Sequence, residues 1–282
     1  MKRHIQALLG TVGLLERVQN SFLYDLYWSI VDRRFIDKRS SEVRFYRNLL
    51  TGFRPGDLIV DVGANRGEKI DVFLRVGARV LAVEPDESNQ EILRRRFLRY
   101  RLSQKPVIVV GKALSDRNTI ETLWIDSAGS ALNTLSPKWV ETLRGDAGRF
   151  GQSLTFKQER QVPTTTLDDL FVSHGVPFFV KIDVEGYEVN VLRGMKRAVP
   201  FVSFEVNLPE FKPEGVECIA TLGRLAAHGT FNYAVDCQRG LELGRWLGAK
   251  EFTDRFERCE ERSIEVFWRT SPARATGDEM LR

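Results

Sequence analysis

Acidic residues stand at the ends of several short apolar runs in this sequence. Asp61 lies near the end of the run Leu58–Val62, and Glu84 ends a second run that begins at Arg79. Apolar, β-branched runs of this length predict buried strands. In a doubly wound α/β fold, an acid at the end of the second strand can accept hydrogen bonds from a ribose diol held over the first strand–helix turn. The two acids therefore predict a nucleoside-binding edge.

The turn after the first strand indicates which kind of nucleoside binds. Residues 61–67 read Asp-Val-Gly-Ala-Asn-Arg-Gly, without the central glycine of the G-x-G-x-x-G loop that binds a pyrophosphate. Gly63 and Gly67 remove side chains where the backbone must turn and approach a ligand. Asp61 would repel a pyrophosphate and attract an ammonium or sulfonium group. A cationic cofactor is predicted; the alternative is an ordinary turn with glycines for geometry and acids for solubility.

A further pair of acids stands where the apolar run 177–184 ends. Asp183 and Glu185 are expected on the same rim as the first two acids, because ligands of open α/β sheets bind outside the carboxyl ends of the strands. Either carboxylate could take a proton from a hydroxyl, or help to hold a divalent metal that lowers the pKa of that hydroxyl. The alternatives are that the two acids only keep this exposed rim soluble, or that they cap the N-terminus of the next helix.

Five segments, in this order and spacing, resemble the FkbM family of class I S-adenosylmethionine-dependent methyltransferases. They are residues 60–67, 83–86, 113–116, 166–170 and 181–188. The resemblance extends over about residues 42–207. It implies binding of S-adenosyl-L-methionine and methyl transfer to a hydroxyl oxygen, often on a sugar or a polyketide-type natural product. It does not fix the acceptor.

The rim and the resemblance together assign roles to nine residues. Catalytic roles are predicted for Asp183 and Glu185. Cofactor binding is predicted for Asp61, Gly63, Asn65, Gly67, Glu84, Pro85 and Asp116. Asp116 is included because an acid in the short turn after the third strand could reach the adenine amine. No residue is assigned as a metal ligand, and a divalent metal stays open. The predicted partner is a small, sugar-like hydroxylated acceptor.

The predicted architecture is an α/β, Rossmann-like, doubly wound sheet of seven strands, mostly parallel, with an antiparallel last strand. Residues 1–50 are interpreted as an N-terminal helical extension, 51–270 as the methyltransferase domain and 271–282 as a mobile tail. The domain contains an inserted β/loop segment at 126–162. Its polar, loop-like part at 126–152 is predicted to form a lid that admits the acceptor.

Composition limits the remaining function classes. Hydrophobic residues make up 43% and charged residues 28% of the 282 residues, as in ordinary globular proteins. Three distant cysteines without a C-x-x-C pair support neither a disulfide framework nor a zinc site, and they fit a reducing cytoplasm. The N-terminal apolar run is too short for a transmembrane segment and has no cleavage site, so an amphipathic helix is predicted.

The net charge of +4 raises the possibility of a nucleic-acid partner. Arginines concentrate at 94–101, but apolar residues alternate with them at helical spacing, which is typical of a helix with a solvated basic face. No nucleic-acid partner is therefore predicted, and a homo-oligomer stays open. An NAD-dependent enzyme is disfavoured by the missing glycine motif. A non-catalytic cofactor-binding or scaffold module remains the alternative to an O-methyltransferase.

Overall fold

The computed structural model describes residues 33–98, 100, 107–145, 149 and 154–270. The helices predicted before residue 33 and the tail from residue 271 lie outside these ranges and stay predictions. In the described part of the chain, no helix combines the length and the apolar character that crossing a membrane requires.

The described residues form eleven strands and eight helices. The strands are β1 (Leu58–Val62), β2 (Arg79–Val83), β3 (Val107–Val110), β4 (Ala113–Leu114), β5 (Ile120–Ile125), β6 (Gln158–Thr165), β7 (Phe179–Ile182), β8 (Phe201–Asn207), β9 (Thr230–Ala234), β10 (Leu247–Gly248) and β11 (Ser263–Arg269). The helices are α1 (Arg33–Leu49), α2 (Glu68–Val76), α3 (Glu87–Arg96), α4 (Pro137–Gly145), α5 (Leu167–His174), α6 (Glu188–Arg193), α7 (Lys212–Leu225) and α8 (Ala249–Glu257).

Eight strands form the main sheet in the order β10-β9-β11-β8-β7-β1-β2-β3. The five strands from β8 to β3 are parallel, whereas β11 is antiparallel to both β8 and β9. The Rossmann-like sheet with an antiparallel last strand is therefore confirmed. The predicted count of seven strands is one too few, because β10 has only two residues and cannot show a hydrophobic period.

Strand β1 lies at the centre of the parallel part of the sheet, and every residue in it is buried. Leu58, Val60 and Val62 pack in one apolar cluster, and Ile59 packs in another. A parallel strand covered by helices on both faces has this continuous apolar character. Asp61 alternates onto the side of Ile59, so the core fixes its carboxyl group at the end of the sheet where ligands bind.

Helix α1 packs against the main sheet, although the sequence placed it in an extension. The Tyr46 side chain is fully buried, with its ring centroid 5.1 Å from that of Phe73 and 5.9 Å from that of Phe179. Within the predicted extension, this helix begins at Arg33. The first turns are rich in charged residues and lack an N-cap pattern, so the apolar period becomes visible only later.

The inserted segment forms more regular structure than the sequence predicted. Helix α4 lies within residues 126–152 and buries Trp139, Val140 and Leu143. The prediction of a loop is wrong at this helix, because the helix has only nine residues and a stretch rich in serine and asparagine precedes it. Strand β6 pairs antiparallel with β5 and parallel with β4, which completes a three-stranded sheet beside the main one.

Candidate functional site

The turns after β1 and β7 contact each other at the carboxyl edge of the main sheet. Gly63 has a φ of +78°, and a Cβ atom there would lie 1.8 Å from the backbone oxygen of Asp183. The Asp183 amide donates to the Val62 carbonyl at 3.0 Å, and the Gly63 amide donates to the Val83 carbonyl at 3.0 Å. Glycine is therefore required at position 63 both by its backbone conformation and by the close approach.

Three adjoining cavities meet at Asp183. The inner cavity, about 150 Å³, is lined by residues that include Asn65, Glu84 and Pro85. The turn cavity, about 480 Å³, includes Asp61 in its lining and shares Gly63, Asn65, Ser130, Ala131 and Asp183 with the inner cavity. The α1 cavity, about 390 Å³, lies between α1 and the ends of β8 and β9. Asp183 lines all three, so ligands in different cavities can meet at its carboxylate.

Buried oxygen atoms without partners face the first two cavities. Asp61 Oδ2, Asn65 Oδ1 and Asn89 Oδ1 have no hydrogen-bond partner among the described residues. Asp61 lines the turn cavity, and the two asparagines line the inner cavity. Burial raises the pKa of Asp61 to about 6, although Lys181 attracts its charged form. Buried acceptors without partners are costly, so these oxygens suit a ligand that brings hydrogen-bond donors or positive charge.

The Glu84 side chain, which lines the inner cavity, is held by hydrogen bonds from two backbone amides. Its Oε2 accepts from the Asn65 amide and its Oε1 from the Asp86 amide, each at 2.8 Å. Burial raises the pKa of Glu84 to about 7, and the two amides partly offset that effect. The Asn89 side chain also hydrogen-bonds this carboxylate, whose roughly four acceptor positions leave capacity for a ligand hydroxyl. The geometry is therefore compatible with binding of a ribose.

The catalytic candidate Asp183 is paired with a lysine from the strand that precedes it. Lys181 Nζ donates to Asp183 Oδ2 at 2.7 Å. Burial opposes ionisation of Asp183, but the Lys181 ammonium outweighs it and lowers the pKa of this carboxyl. The negative charge of Asp183, together with burial, raises the pKa of Glu205 to about 8. At neutral pH the group therefore contains one ionised carboxylate, Asp183, beside one protonated carboxyl, Glu205.

Glu185 and Glu188 serve the turn between β7 and α6. Glu185 has a φ of +55°, and burial raises its pKa well above the usual range. Glu188 Oε1 accepts from the amides of Val184 and Gly186 at 3.2 and 3.1 Å. N-capping of the next helix was one alternative for Asp183 and Glu185, but Tyr187 is the N-cap residue of α6, and no side-chain cap hydrogen bond forms there among the described residues.

The inserted segment is tied down over the inner cavity. Asp86 caps α3 by accepting from the Ser88 amide, and its Oδ2 also accepts from the Gly129 amide at 3.1 Å and from Asn133 Nδ2 at 2.8 Å. The hydroxyl of Thr134 donates to the Glu185 carbonyl at 2.8 Å. The insertion is therefore held both to α3 and to the turn after β7.

The structure brings seven of the nine predicted site residues to these cavities. They are Asp61, Gly63, Asn65, Glu84, Pro85, Asp183 and Glu185. Gly67 instead begins α2, and a Cβ atom there would lie 2.4 Å from the Phe97 ring, so it permits helix packing. Asp116 lies at the surface, where it pairs with Arg117. Neither lines the three cavities.

Several cavity residues were not predicted as site residues. Lys181, Glu205 and Asn89 contribute charge or orphaned acceptor atoms. A lysine within a buried apolar strand was a usable signal for Lys181, because such a residue needs a partner. Within the described residues, no group of three or more His, Cys, Asp or Glu side chains is arranged to hold a metal ion. The Lys181 contact also occupies an oxygen of Asp183, so these residues do not fit a divalent metal.

The sequence profile of the methyltransferase FkbM domain matches residues 61–229, more than half of the chain. The chain belongs to the FkbM methyltransferase family. Comparison with curated proteins gives no significant sequence match. The predicted S-adenosylmethionine-dependent methyltransferase class is confirmed by the family match. The cavities at the carboxyl edge of the sheet therefore form the candidate active site of an FkbM-family methyltransferase.

Solved methyltransferase structures show distant similarity to this FkbM-family chain. A TehB-like S-adenosylmethionine-dependent methyltransferase from Corynebacterium glutamicum is 8% identical, with 88% of this chain and 100% of that chain covered and a TM-score of 0.42. A precorrin-6Y C5,15-methyltransferase from Geobacter metallireducens is 9% identical, with 83% and 87% covered and a TM-score of 0.40. An O-methyltransferase from Bacillus cereus is 12% identical, with 83% and 80% covered and a TM-score of 0.35.

Proposed function

We propose that this FkbM-family protein transfers a methyl group from S-adenosylmethionine to a hydroxyl oxygen of a small hydroxylated acceptor, such as a sugar or a polyketide- or glycan-type molecule. The observation that most supports the proposal is the position of Asp183, which lines the inner cavity, the turn cavity and the α1 cavity. Methyl transfer requires two ligands to approach one point, and a carboxylate at that point can accept the hydroxyl proton.

The inner and turn cavities are proposed to hold the cofactor, because their polar groups match its chemistry. S-adenosylmethionine supplies a methyl group on a positively charged sulfur and also contains an ammonium group and a ribose diol. The orphaned Asp61 oxygen suits a cationic donor, and Glu84 keeps acceptor capacity toward the inner cavity. Gly63 lines both cavities, and its lack of a side chain lets the turn after β1 pack against the Asp183 backbone.

Asp183 is proposed as the proton acceptor. The hydroxyl proton moves to its carboxylate as the oxygen–carbon bond forms and the sulfur–carbon bond breaks, which leaves the two products and one proton to be released. Lys181 keeps Asp183 ionised. Glu185 is a weaker candidate, because burial raises its pKa well above the usual range and so disfavours the ionised form that accepts a proton. For Glu185 we retain only a role in shaping the turn and the inner cavity.

The cofactor part of the proposal is tested by calorimetry with S-adenosylhomocysteine. Replacing Glu84 by Ala is expected to weaken binding by about 1.5 to 3 kcal/mol, the usual contribution of a hydrogen bond to a charged group. Glu91→Ala is the control, because Glu91 is an exposed glutamate on α3 that faces none of the three cavities. Equal affinity of Glu84→Ala and the parent would exclude the ribose assignment.

The acceptor part is tested by transfer of a labelled methyl group to a panel of glycosides, RNA and lysine peptides. The proposal predicts that glycoside hydroxyls are methylated fastest. Faster methylation of RNA or of lysine would contradict it. Binding of S-adenosylhomocysteine without transfer to any member of the panel would favour a non-catalytic module.

A further inference from the structure

A second cleft, the arginine cleft, opens beside the α1 cavity. It has a volume of about 410 Å³ and lies between α1 and the turn after β9. Ser41, Arg44 and Asn48 line it from α1, and Gln238 and Arg239 line it from the turn. The remaining lining residues are mostly apolar, and Arg44 and Arg239 are exposed side chains of the cleft.

The arginine cleft has an unbalanced positive charge. No Asp or Glu lines it, and neither Arg44 nor Arg239 forms an ion pair with a carboxylate among the described residues. Arg44 is oriented by its own helix, because its Nη2 donates to Ser41 Oγ at 2.8 Å. Two guanidinium groups in one cleft form a donor set that matches the oxygens of a phosphate or carboxylate.

The arginine cleft continues into the α1 cavity, because Cys237 and Gln238 line both. The α1 cavity is mixed in charge. Its lining combines the acidic side chains Glu42, Asp183, Glu205, Asp236 and Glu265 with Lys38, Lys69 and Lys181. Lys181 is already paired with Asp183, whereas the arginine end carries positive charge and no carboxylate, so an anionic group of a ligand is favoured at the arginine end and a neutral group beside Asp183.

We infer that the arginine cleft binds an anionic group of the methyl acceptor, a phosphate or a carboxylate, while a neutral hydroxyl of the same molecule reaches Asp183 through the α1 cavity. This inference rests on the proposed function for the identity of the ligand as acceptor. It differs from the sequence-based expectation that the acceptor enters under residues 126–152. That segment is tied over the inner cavity by Asp86, on the cofactor side of Asp183.

The test measures binding of three probes to the full chain saturated with S-adenosylhomocysteine, which fills the cofactor site. Glucose-1-phosphate presents a phosphate, glucuronate a carboxylate, and methyl glucoside no charge. The double variant Arg44→Gln, Arg239→Gln removes both guanidinium groups. Arg224→Gln is a matched control, because Arg224 is also on a helix and donates to a hydroxyl three residues earlier, that of Thr221, at 3.0 Å.

We expect at least one anionic probe to bind at least 10-fold more tightly than methyl glucoside, with the tighter of the two identifying phosphate or carboxylate as the bound group. The double variant should lose that preference, and Arg224→Gln should keep it. Equal binding of charged and neutral probes, no binding of any probe, or equal losses in the control and the double variant would each overturn the inference. Binding of S-adenosylhomocysteine distinguishes failure of this inference from failure of the proposed function. If the protein binds S-adenosylhomocysteine but shows no preference for an anionic probe, only the inference fails. If it does not bind S-adenosylhomocysteine, the proposed function is contradicted.

Discussion

At the scale of single residues, burial and neighbouring charges determine which carboxyl groups of the candidate site are ionised. Asp183 stays ionised because Lys181 Nζ lies 2.7 Å from its carboxylate, whereas Glu185, two residues later, forms no ion pair among the described residues and burial raises its pKa. Asp61 and Glu84 lie between these extremes, with pKa values near neutrality. The cofactor site should therefore respond to pH in the physiological range.

The first prediction concerns the pH dependence of cofactor binding. Burial raises the pKa of Asp61 to about 6, and a cationic ligand favours its ionised form, so affinity for S-adenosylmethionine should rise as the pH increases from 5 to 7. At pH values below the pKa of Asp61, each further unit of pH decrease should lower the affinity by up to about tenfold. Calorimetry across this range should show that Asp61→Asn loses the step near pH 6 and keeps a step near pH 7 from Glu84.

The control for this prediction is Asp254→Asn, an exposed position on α8 that lines none of the cavities. It should leave the pH profile of affinity unchanged. An identical profile in the parent protein and Asp61→Asn would exclude Asp61 as the group that interacts with the cationic cofactor.

Some of these residues could be found from the sequence and others could not. Asp61 lies near the end of a recognisable apolar strand, and Glu84 and Asp183 each follow one, so their positions on one rim can be inferred from the fold class. The pairing of Glu205 with Asp183 depends on neighbouring strands β7 and β8, and the orphaned oxygen of Asn89 depends on how α3 packs. Neither relation has a local sequence pattern.

At the scale of elements, the close contact between two strand–helix turns determines where the cavities lie. The turn after β1 passes against the backbone after β7, and Gly63 makes that contact possible. The sequence predicted the strands well, because parallel strands are continuous apolar runs. It failed at α4 and β10, which are short and whose stability comes from tertiary packing rather than from a local period.

The second prediction separates backbone strain from this close contact. Gly63→Ala introduces a Cβ atom 1.8 Å from a backbone oxygen, whereas Gly56→Ala has a similar positive φ and no atom within 4 Å of the new Cβ. Gly56→Ala should destabilise the protein by about 1 to 2 kcal/mol, the cost of a left-handed residue. Gly63→Ala should destabilise it by clearly more, or prevent folding.

Urea unfolding of both alanine variants provides the measurement. Similar losses of unfolding free energy at the two glycines would show that the turn after β1 can move away from Asp183. In that case the junction of the cavities would not be fixed by this contact.

At the scale of the whole molecule, the strand order determines which acids meet. The acids of the site come from the ends of β1, β2, β7 and β8, which are distant in sequence and adjacent in the sheet. The α/β class, the antiparallel last strand and the family could be predicted, because each depends on ordered motifs. The packing of α1 on the core and the position of the α1 cavity could not, because they depend on contacts between distant segments.

The third prediction follows from the raised pKa values of buried carboxyl groups. Burial raises the pKa of Glu188 to about 7, and the Asp183 charge raises that of Glu205 to about 8. Between pH 5 and 8 the native state therefore binds more protons than the unfolded state, so the free energy of unfolding should fall as the pH rises. The free energy of unfolding should change by at most about 1.4 kcal/mol per pH unit for each additional proton that the native state binds.

Urea unfolding at a series of pH values checks this prediction. Glu205→Gln cannot release a proton, so its unfolding free energy should depend less on pH between 6 and 8 than that of the parent. A parent protein whose stability rises over this range would contradict the assignment of protonated carboxyl groups to the site.

The most direct test of the account is Asp183→Asn, which keeps the shape of the side chain and removes its charge. Binding of S-adenosylmethionine is measured by calorimetry, and methyl transfer to the best glycoside acceptor is measured at saturating cofactor on folded protein, because Lys181 loses its partner in the variant. We predict nearly unchanged cofactor affinity and a methylation rate that falls by roughly 100-fold or more, the usual effect of losing a positioned proton acceptor. A rate near that of the parent, or a loss of cofactor affinity in step with activity, would contradict the role of Asp183 as the base.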